Sequence, residues 1–419
     1  MNAESTNGQP QHSSSFLTLC SEFPELGLQC VPRGRAKDVM KVSRHIKRYF
    51  AQQKMPIALK ANPGYTFNEL LPQLQSCSDA YEVQTVKIKN VALDQQEVEE
   101  LVQSLHHCPK LMHLELSYMR KSFTNERGPF NATFLNGGCA SAEQTAGAGT
   151  LQFPSLLHLN MDSSGNRWGG FHFLNIAMCL LERSTSLTHL NLSWCWVDAD
   201  QFGQRDFFLN ALTKCKSLVS LTLIGNRVGD KNMESLVVAL AQCQALTHLA
   251  LNANRIGPLV VPSLARVLLQ HKFLSHLDLC SNHIGDEGLE HLAHALGQCK
   301  TLVHLRLRDN GISGIGAGHL AAVLWRCPLL VYLNLAYNEL EDEGTQKIAE
   351  VLPQCQSLAH LDLHHNWIAT EGIKSLIPVL GKCASLKSLT LTDNASDATT
   401  KDRLRAAAGH VDIKFQYWH

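Results

Sequence analysis

The 419-residue chain contains no uninterrupted apolar run of 18 residues, so it offers no transmembrane helix and no membrane insertion is expected. It has no excess of either charge. Lys and Arg number 37, Asp and Glu also 37, and the pI is near 7.3, which gives no general attraction to nucleic acid or an anionic membrane. Three catalytic signatures are missing: a glycine loop that would cradle phosphate, a G-x-S-x-G elbow and an H-E-x-x-H zinc helix. None of the cysteines forms a C-x-x-C pair. No cofactor, metal or catalytic residue is therefore expected, and the reading is of a protein that is not an enzyme. The opening "MNAESTNGQPQHSSS" is polar and lacks the apolar centre of a secretory signal, so it is expected to be disordered.

What the chain does have is a period. In "SHLDLCSNHIGDEGLEHLAHALGQC", Leu277 and Leu279 alternate with polar residues as in a strand. Asn282 and Ile284 follow, and then Leu289, Leu292, Ala293 and Leu296 recur as on one face of a helix. The next segment repeats the layout. The first leucine of the pattern stands at Leu218, Leu246, Leu274, Leu302, Leu330, Leu358 and Leu386, always 28 residues from the last. A fixed period of this size is the signature of a solenoid. Upstream the pattern loosens. Repeats of 31 residues start at Leu156 and Leu187, one of 45 at Leu111 and one of 28 at Val83. Ile57 and Leu59 suggest a further strand, and Leu26 and Leu28 a weaker one.

The pattern L-x-x-L-x-L-x-x-N-x-I resembles the leucine-rich repeat, and its 28-residue length and helical second half resemble the ribonuclease-inhibitor-like class. The resemblance implies an α/β fold, a right-handed leucine-rich-repeat solenoid or horseshoe with a parallel β-sheet on the concave face and α-helices on the convex face. Strand spacing of about 4.8 Å against helix spacing of about 8–10 Å accounts for curvature of that sense. The asparagine column from Asn226 to Asn394 is expected, from the family, to satisfy backbone groups of the turn. Asp230, Asp286, Asp342 and Thr370 are expected to cap the helices that follow them. The chain then divides into a polar N-terminus (1–20), a capping region with degenerate repeats (21–82), repeats (83–394) with a loop insertion around 120–150, and a C-terminal cap (395–419) whose "GHVDIKFQYWH" reads as a strand.

Two columns carry the remaining residue-level expectations. Cys108, Cys215, Cys243, Cys299, Cys327, Cys355 and Cys383 each precede a strand leucine by three residues. They are expected to be small buried hydrophobes at the helix end, kept reduced, which suggests a cytoplasmic location. His113, His158, His189, His248, His276, His304 and His360 each stand two residues after the first leucine, on the face opposite the core. They are open to four readings: metal sharing, a pH switch, partner contact, or rings that simply pack on one another across the strands. If they are neighbours, mutual repulsion should hold their pKa values below about 6.5.

The function expected is a non-catalytic scaffold that recognises a protein partner, of unknown identity, and is monomeric when unbound. Two surfaces are candidates. One is the insertion-bearing rim with Trp168, Trp194 and Trp196. The other is the concave patch of Arg306, Arg308, Tyr332, Tyr337, His364 and Trp367, with His248, His276 and His304 beside it. Alternatives are a GTPase-activating protein of the leucine-rich-repeat type, or a bacterial effector acting on a host protein in the host cytosol.

Overall fold

The computed structural model describes residues 17–20, 26–30, 57–61, 83–89, 92–93, 105, 108, 110–117, 120–121, 153–163, 177, 180–181 and 183–195, and then 204–415 without a break. Most of the 120–150 insertion, Trp168 and Trp196 lie outside these residues. The chain forms two compact units, residues 1–169 and 170–419.

In the first unit the strands β1 (Leu17–Cys20), β2 (Leu26–Cys30), β3 (Ile57–Ala61), β4 (Val83–Lys89), β6 (His113–Ser117) and β8 (His158–Asn160) lie side by side in chain order. Apart from β1, which pairs antiparallel with β2, every pairing among them is parallel. A separate parallel pair joins β5 (Ala92–Leu93) to β7 (Arg120–Lys121). The weak pattern at Leu26 and Ile57 thus corresponds to real strands, and a further strand precedes them.

The second unit is an open, parallel α/β solenoid. Its strands are β9 (His189–Asn191), β10 (Ser220–Thr222), β11 (His248–Ala250), β12 (His276–Asp278), β13 (His304–Arg306), β14 (Tyr332–Asn334), β15 (His360–Asp362), β16 (Ser388–Thr390) and β17 (Asp412–Lys414). They pair in sequence order with a register that matches repeat position to repeat position. The helices are α1 (Gln204–Lys214), α2 (Gly229–Leu240), α3 (Val261–Leu268), α4 (Gly285–Leu296), α5 (Gly314–Leu324), α6 (Glu341–Val351), α7 (Thr370–Leu380) and α8 (Ala398–Ala408). Each packs on the next. Each strand has three residues, and from β9 to β16 a buried leucine stands between two outward-facing side chains. Helix leucines such as Leu264, Leu292, Leu320 and Leu376 close the core from the other side. No repeat covers its own apolar face, so stability comes from stacking.

The asparagine column binds repeats to one another as well as its own turn. Asn282 Nδ2 donates to the carbonyl oxygens of Leu251 in the preceding repeat (3.0 Å) and Leu279 in its own (2.8 Å). Its Oδ1 accepts from the Asn254 and Ile256 amides, both at 3.0 Å. The same lattice recurs at Asn254, Asn338 and Asn394. These amides satisfy groups that would otherwise be buried and unpaired.

The capping aspartates act one repeat downstream from where their sequence position suggests. Asp230, Asp286 and Asp342 fall inside the first turns of α2, α4 and α6. Their carboxylates accept from amides at the start of the following repeat's helix segment. Asp230 takes the Gly257 N–H at 2.6 Å, Asp286 those of Ser313 (2.8 Å) and Gly316 (3.0 Å), and Asp342 those of Ala369 and Gly372, both at 2.8 Å. Thr370 likewise opens α7 without capping it and donates to Asp397 at 3.2 Å. The neighbouring helix start lies close enough that one carboxylate serves both its own helix dipole and the next helix's orphan donors. Caps of the ordinary kind occur at Ser313 for α5 and Asp397 for α8.

The cysteines end the helices with their thiols against carbonyl oxygens. Cys243 Sγ lies 3.6 Å from the Ala239 oxygen one turn back and 3.9 Å from the Leu212 oxygen one repeat back. Burial pushes the Cys243 and Cys355 thiols up to about 12 and those of Cys215 and Cys327 to about 11, so they are protonated and unreactive. The residue in this column between Cys243 and Cys299 is His271. It is buried, with Nδ1 2.9 Å from the Val267 oxygen and Nε2 3.1 Å from the Leu240 oxygen, so it occupies the thiol's place between the same two carbonyl positions.

Candidate partner-binding face

The face of the second-unit sheet that points away from the helices is built from the two flanking residues of each strand. One row reads His248, His276, His304, Tyr332, His360 and the next Ala250, Asp278, Arg306, Asn334, Asp362. Strand pairing at about 4.8 Å forces the rings of the first row into contact. His248 and His276 stack with centroids 4.0 Å apart, and His276 and His304 at 4.3 Å. Tyr332 continues the row at 5.8 Å.

A second regularity, legible only in the structure, holds the histidines in place. Residues before or beside them place a hydroxyl against Nδ1: Thr188 at 2.9 Å from His189, Thr247 at 2.7 Å from His248, Ser275 at 2.8 Å from His276 and Ser388 at 2.8 Å from His360. His304 follows Val303, and its Nδ1 is buried without a hydrogen-bond partner.

The protonated forms are disfavoured here. His276 is held down to about 4, first by burial and then by the charges of His248, His304 and Arg306. His304 is lowered too, again first by burial and next by Arg306. The expected direction is found, but desolvation outweighs ring–ring repulsion, because each ring is covered on both faces by its neighbours. Arg306 Nη1 meets the Asp278 carboxylate at 3.4 Å and its guanidinium lies 5.4 Å from the Tyr332 ring centre.

Past the strands the backbone turns through the left-handed region. The residue before each asparagine, and before Cys195 at the same repeat position, has positive φ: Trp194 (60°), Gly225 (68°), Ala253 (54°), Ser281 (53°), Asp309 (57°), Tyr337 (57°), His365 (51°) and Asp393 (53°). Trp367 two residues beyond His365 shares it, at 56°. Bulky side chains pay a conformational penalty there that glycine escapes. Three consequences follow at the candidate residues. Tyr337 is sandwiched, with the Arg308 guanidinium 4.1 Å from its ring centre and His365 stacked at 4.6 Å. Trp367 projects with 58% of its surface exposed. Trp194 is 40% exposed, and its indole lies over Gly225 so closely that a Cβ there would overlap the ring. Part of Trp194 is therefore packing.

His364 does not belong on the accessible surface. It is 1% exposed, and its Nδ1 lies 3.0 Å from the Thr392 oxygen and 3.6 Å from the Asp393 carboxylate. It props the edge of Tyr337 at 4.7 Å. The strand alternation that places outward residues has ended by this point, and the turn carries the ring inward. His365 beside it is the exposed partner of Tyr337 that the choice of His364 overlooked. Burial raises the Asp362 carboxyl, against the His364 backbone N–H that it accepts at 3.0 Å and the charges of Arg308 and Lys414. Arg306 thus lies with Tyr332, and Arg308 with Tyr337 and His365, with Trp367 two residues further along the same turn, whereas Trp194 stands several repeats away and Trp168 and Trp196 are outside the described residues.

Among the described residues no group of three or more His, Cys, Asp or Glu side chains is arranged to hold a metal ion, and no helix is long and apolar enough to cross a membrane.

The Leucine Rich repeat family model matches residues 183–200, 270–293, 298–321, 326–349 and 354–376. Residues 204–269, which it does not match, keep the same strand, asparagine turn and helix. No curated protein is significantly similar in sequence. Among solved structures, a leucine-rich repeat protein of Leptospira interrogans is 17% identical over 87% of this chain and 91% of its own, with a TM-score of 0.44. An internalin from Listeria monocytogenes is 16% identical over 84% of this chain and 95% of its own, with a TM-score of 0.43. Actin-binding site 2 of leiomodin-1 is 16% identical over 36% of this chain and 87% of its own, with a TM-score of 0.32. The matched segments, the parallel strands and the asparagine lattice show that the chain carries leucine-rich repeats.

Proposed function

We propose that the protein is a non-catalytic scaffold of the ribonuclease-inhibitor-like class that binds a protein partner through the outward sheet face of its second unit, with the anchor at Arg308, Tyr337, His365 and Trp367. One observation carries this reading. Aromatic rings stand at left-handed positions where Gly225 and Ala253 serve the same turn, and they are stacked under an arginine while remaining exposed. Large exposed aromatics and arginine are the residues on which interfaces concentrate binding energy. The turn itself gains nothing from their size.

The histidine stack and Arg306 extend the contact along the sheet, with His276 and His304 held towards the neutral form and Asp278 and Arg306 as a charge pair beside them. Trp194, together with Trp168 and Trp196, is a secondary contact on the rim. The protonated, buried thiols fit a reducing compartment, which supports a cytoplasmic site of action. The test is affinity capture from cytosol with wild-type protein and the Tyr337→Ala/Trp367→Ala variant. The reading expects a stoichiometric partner that the variant loses while its circular dichroism is unchanged. An identical set of captured proteins sinks it.

A further inference from the structure

The opposite edge of the second unit, where each helix ends and the next strand begins, has a different chemistry. Its seven segments are 213–218, 241–246, 269–274, 297–302, 325–330, 353–358 and 381–386. They carry Lys214, Lys216, Lys272, Lys300, Arg326 and Lys382, all exposed, and no Asp or Glu. The last helical turns add Arg266 and one carboxylate, Glu350. The acids gather instead at the helix starts, as at Asp230, Asp286, Glu287, Glu341, Asp342 and Glu343. Because every helix runs the same way, these cations share one edge of the second unit and the acids of the helix starts share the other.

The cations have a local reason to be there. They oppose the negative ends of the helix dipoles, and Lys300 Nζ donates to the Gly297 and Arg326 carbonyl oxygens at 3.0 and 2.9 Å. A helix end contributes only about half a negative charge. Six cations over seven such ends therefore leave the edge positive.

The apolar side chains have no such reason. Leu269 (40% exposed), Phe273 (62%), Trp325 (47%) and Leu329 (49%) stand on the same edge, in two pairs at the same repeat positions. Trp325 has already satisfied its indole N–H on the Ala322 oxygen at 3.1 Å, so its ring can leave water without stranding a donor. The repeat between the two pairs presents Gly297 and Thr301 at those positions. The pairs are thus separated by about 20 Å of helix packing, with Lys272, Lys300 and Arg326 among them.

We propose that this edge docks on an anionic lipid surface, the four apolar side chains entering the headgroup–acyl boundary and the cations meeting the headgroups. Separate apolar projections interspersed with cations suit a fluid plane that closes around each one. A peptide would need a continuous groove, and the intervening Gly297 and Thr301 interrupt any continuous apolar strip. This surface is distinct from the proposed partner face, and the two can fail separately.

The experiment is co-sedimentation of the full chain with vesicles of phosphatidylcholine alone and of phosphatidylcholine mixed with phosphatidylserine. The expected result is binding to the mixed vesicles only, weakening as salt is raised. Phe273→Ser/Leu329→Ser should reduce that binding at least about fivefold, as should Lys272→Gln/Arg326→Gln/Lys382→Gln. Tyr337→Gly should leave it intact. Exposed positions are chosen so that folding is kept, which circular dichroism checks. Absence of binding to the mixed vesicles overturns the proposal. So does binding that the Phe273→Ser/Leu329→Ser variant retains in full, which would reduce it to charge attraction. Retention of poly-glutamate by the wild type without any vesicle binding would assign the edge to an acidic protein and overturn it equally.

Discussion

The two sides of the same strands in the second unit behave differently. On the buried side the central residue is leucine from Leu190 through Leu389, and the asparagine beyond it recurs from Asn226 to Asn394. On the outward side the residues paired across the sheet change from His248, His276 and His304 to Tyr332, His360 and Ser388, and from Asp278 to Arg306 to Asn334. The backbone environment is the same for both sides at every repeat. Stacking therefore dictates the buried side, and what stands on the outward side answers to something other than the fold. The helix-end edge supports the same distinction, since its cations follow the helix dipoles but its exposed Phe273 and Trp325 do not.

Breaking the buried side should cost most. Asn282→Ala removes two donated and two accepted bonds in a buried turn, and should destabilise the protein by about 3 kcal/mol or more in equilibrium denaturation with urea. Leu305→Ala should cost about 3 kcal/mol by leaving a cavity in the stack. Either value below about 1 kcal/mol would mean that the repeats do not depend on one another as the lattice implies.

The outward side should show the reverse. Arg308→Ala and Trp367→Ala should each weaken partner binding by about 2 kcal/mol and shift stability by no more than about 0.5 kcal/mol. Tyr337→Gly sharpens the contrast. It relieves a left-handed φ of 57° but removes the stack between Arg308 and His365, so stability should change by less than about 1 kcal/mol while binding falls. A large loss of stability in this variant would make Tyr337 a packing residue.

The smallest effects concern the histidine row. Val303→Thr restores the hydroxyl that the other rows supply and gives the buried His304 Nδ1 a partner, which should raise stability by about 0.5–1 kcal/mol. An unchanged denaturation midpoint would show that the orphaned nitrogen costs little. His276, held down to about 4 in the folded state against about 6.5 unfolded, stays neutral while the unfolded chain takes up a proton. The unfolded state then binds more protons between these values, so stability should fall as pH drops from about 6.5 towards 4 and level off below. In His276→Asn that fall should be shallower, read as denaturation midpoint against pH.

The stack was legible in the sequence because it is periodic: Leu218 to Leu386 fix the strands, and the asparagine column fixes the turns. Two expectations at repeat junctions needed correction for a shared reason. Asp286 caps the start of the next repeat, whose amides at Ser313 and Gly316 are 27 and 30 residues away in sequence, and local capping rules look only at the adjoining helix. His364 follows the strand alternation on paper, but the turn after it buries the ring and leaves His365 outside. The hydroxyl partners of the histidines needed the register to become visible. The Tyr337 stack needed the left-handed turn as well. Trp168 and Trp196 lie beyond the described residues, and the rim remains a proposal resting on Trp194.

The central claim is that the outward face, and in particular the cluster around Tyr337, holds the partner. Its most direct measurement is site-specific photo-crosslinking in cytosol, with the crosslinker placed at Trp367 in one protein and at Glu350 on the helix side in another. The account predicts one dominant crosslinked protein from position 367, competed away by unlabelled wild type but not by Arg308→Ala/Tyr337→Ala, and none from position 350. The same product from both positions, or competition by the variant as effective as by wild type, would contradict it.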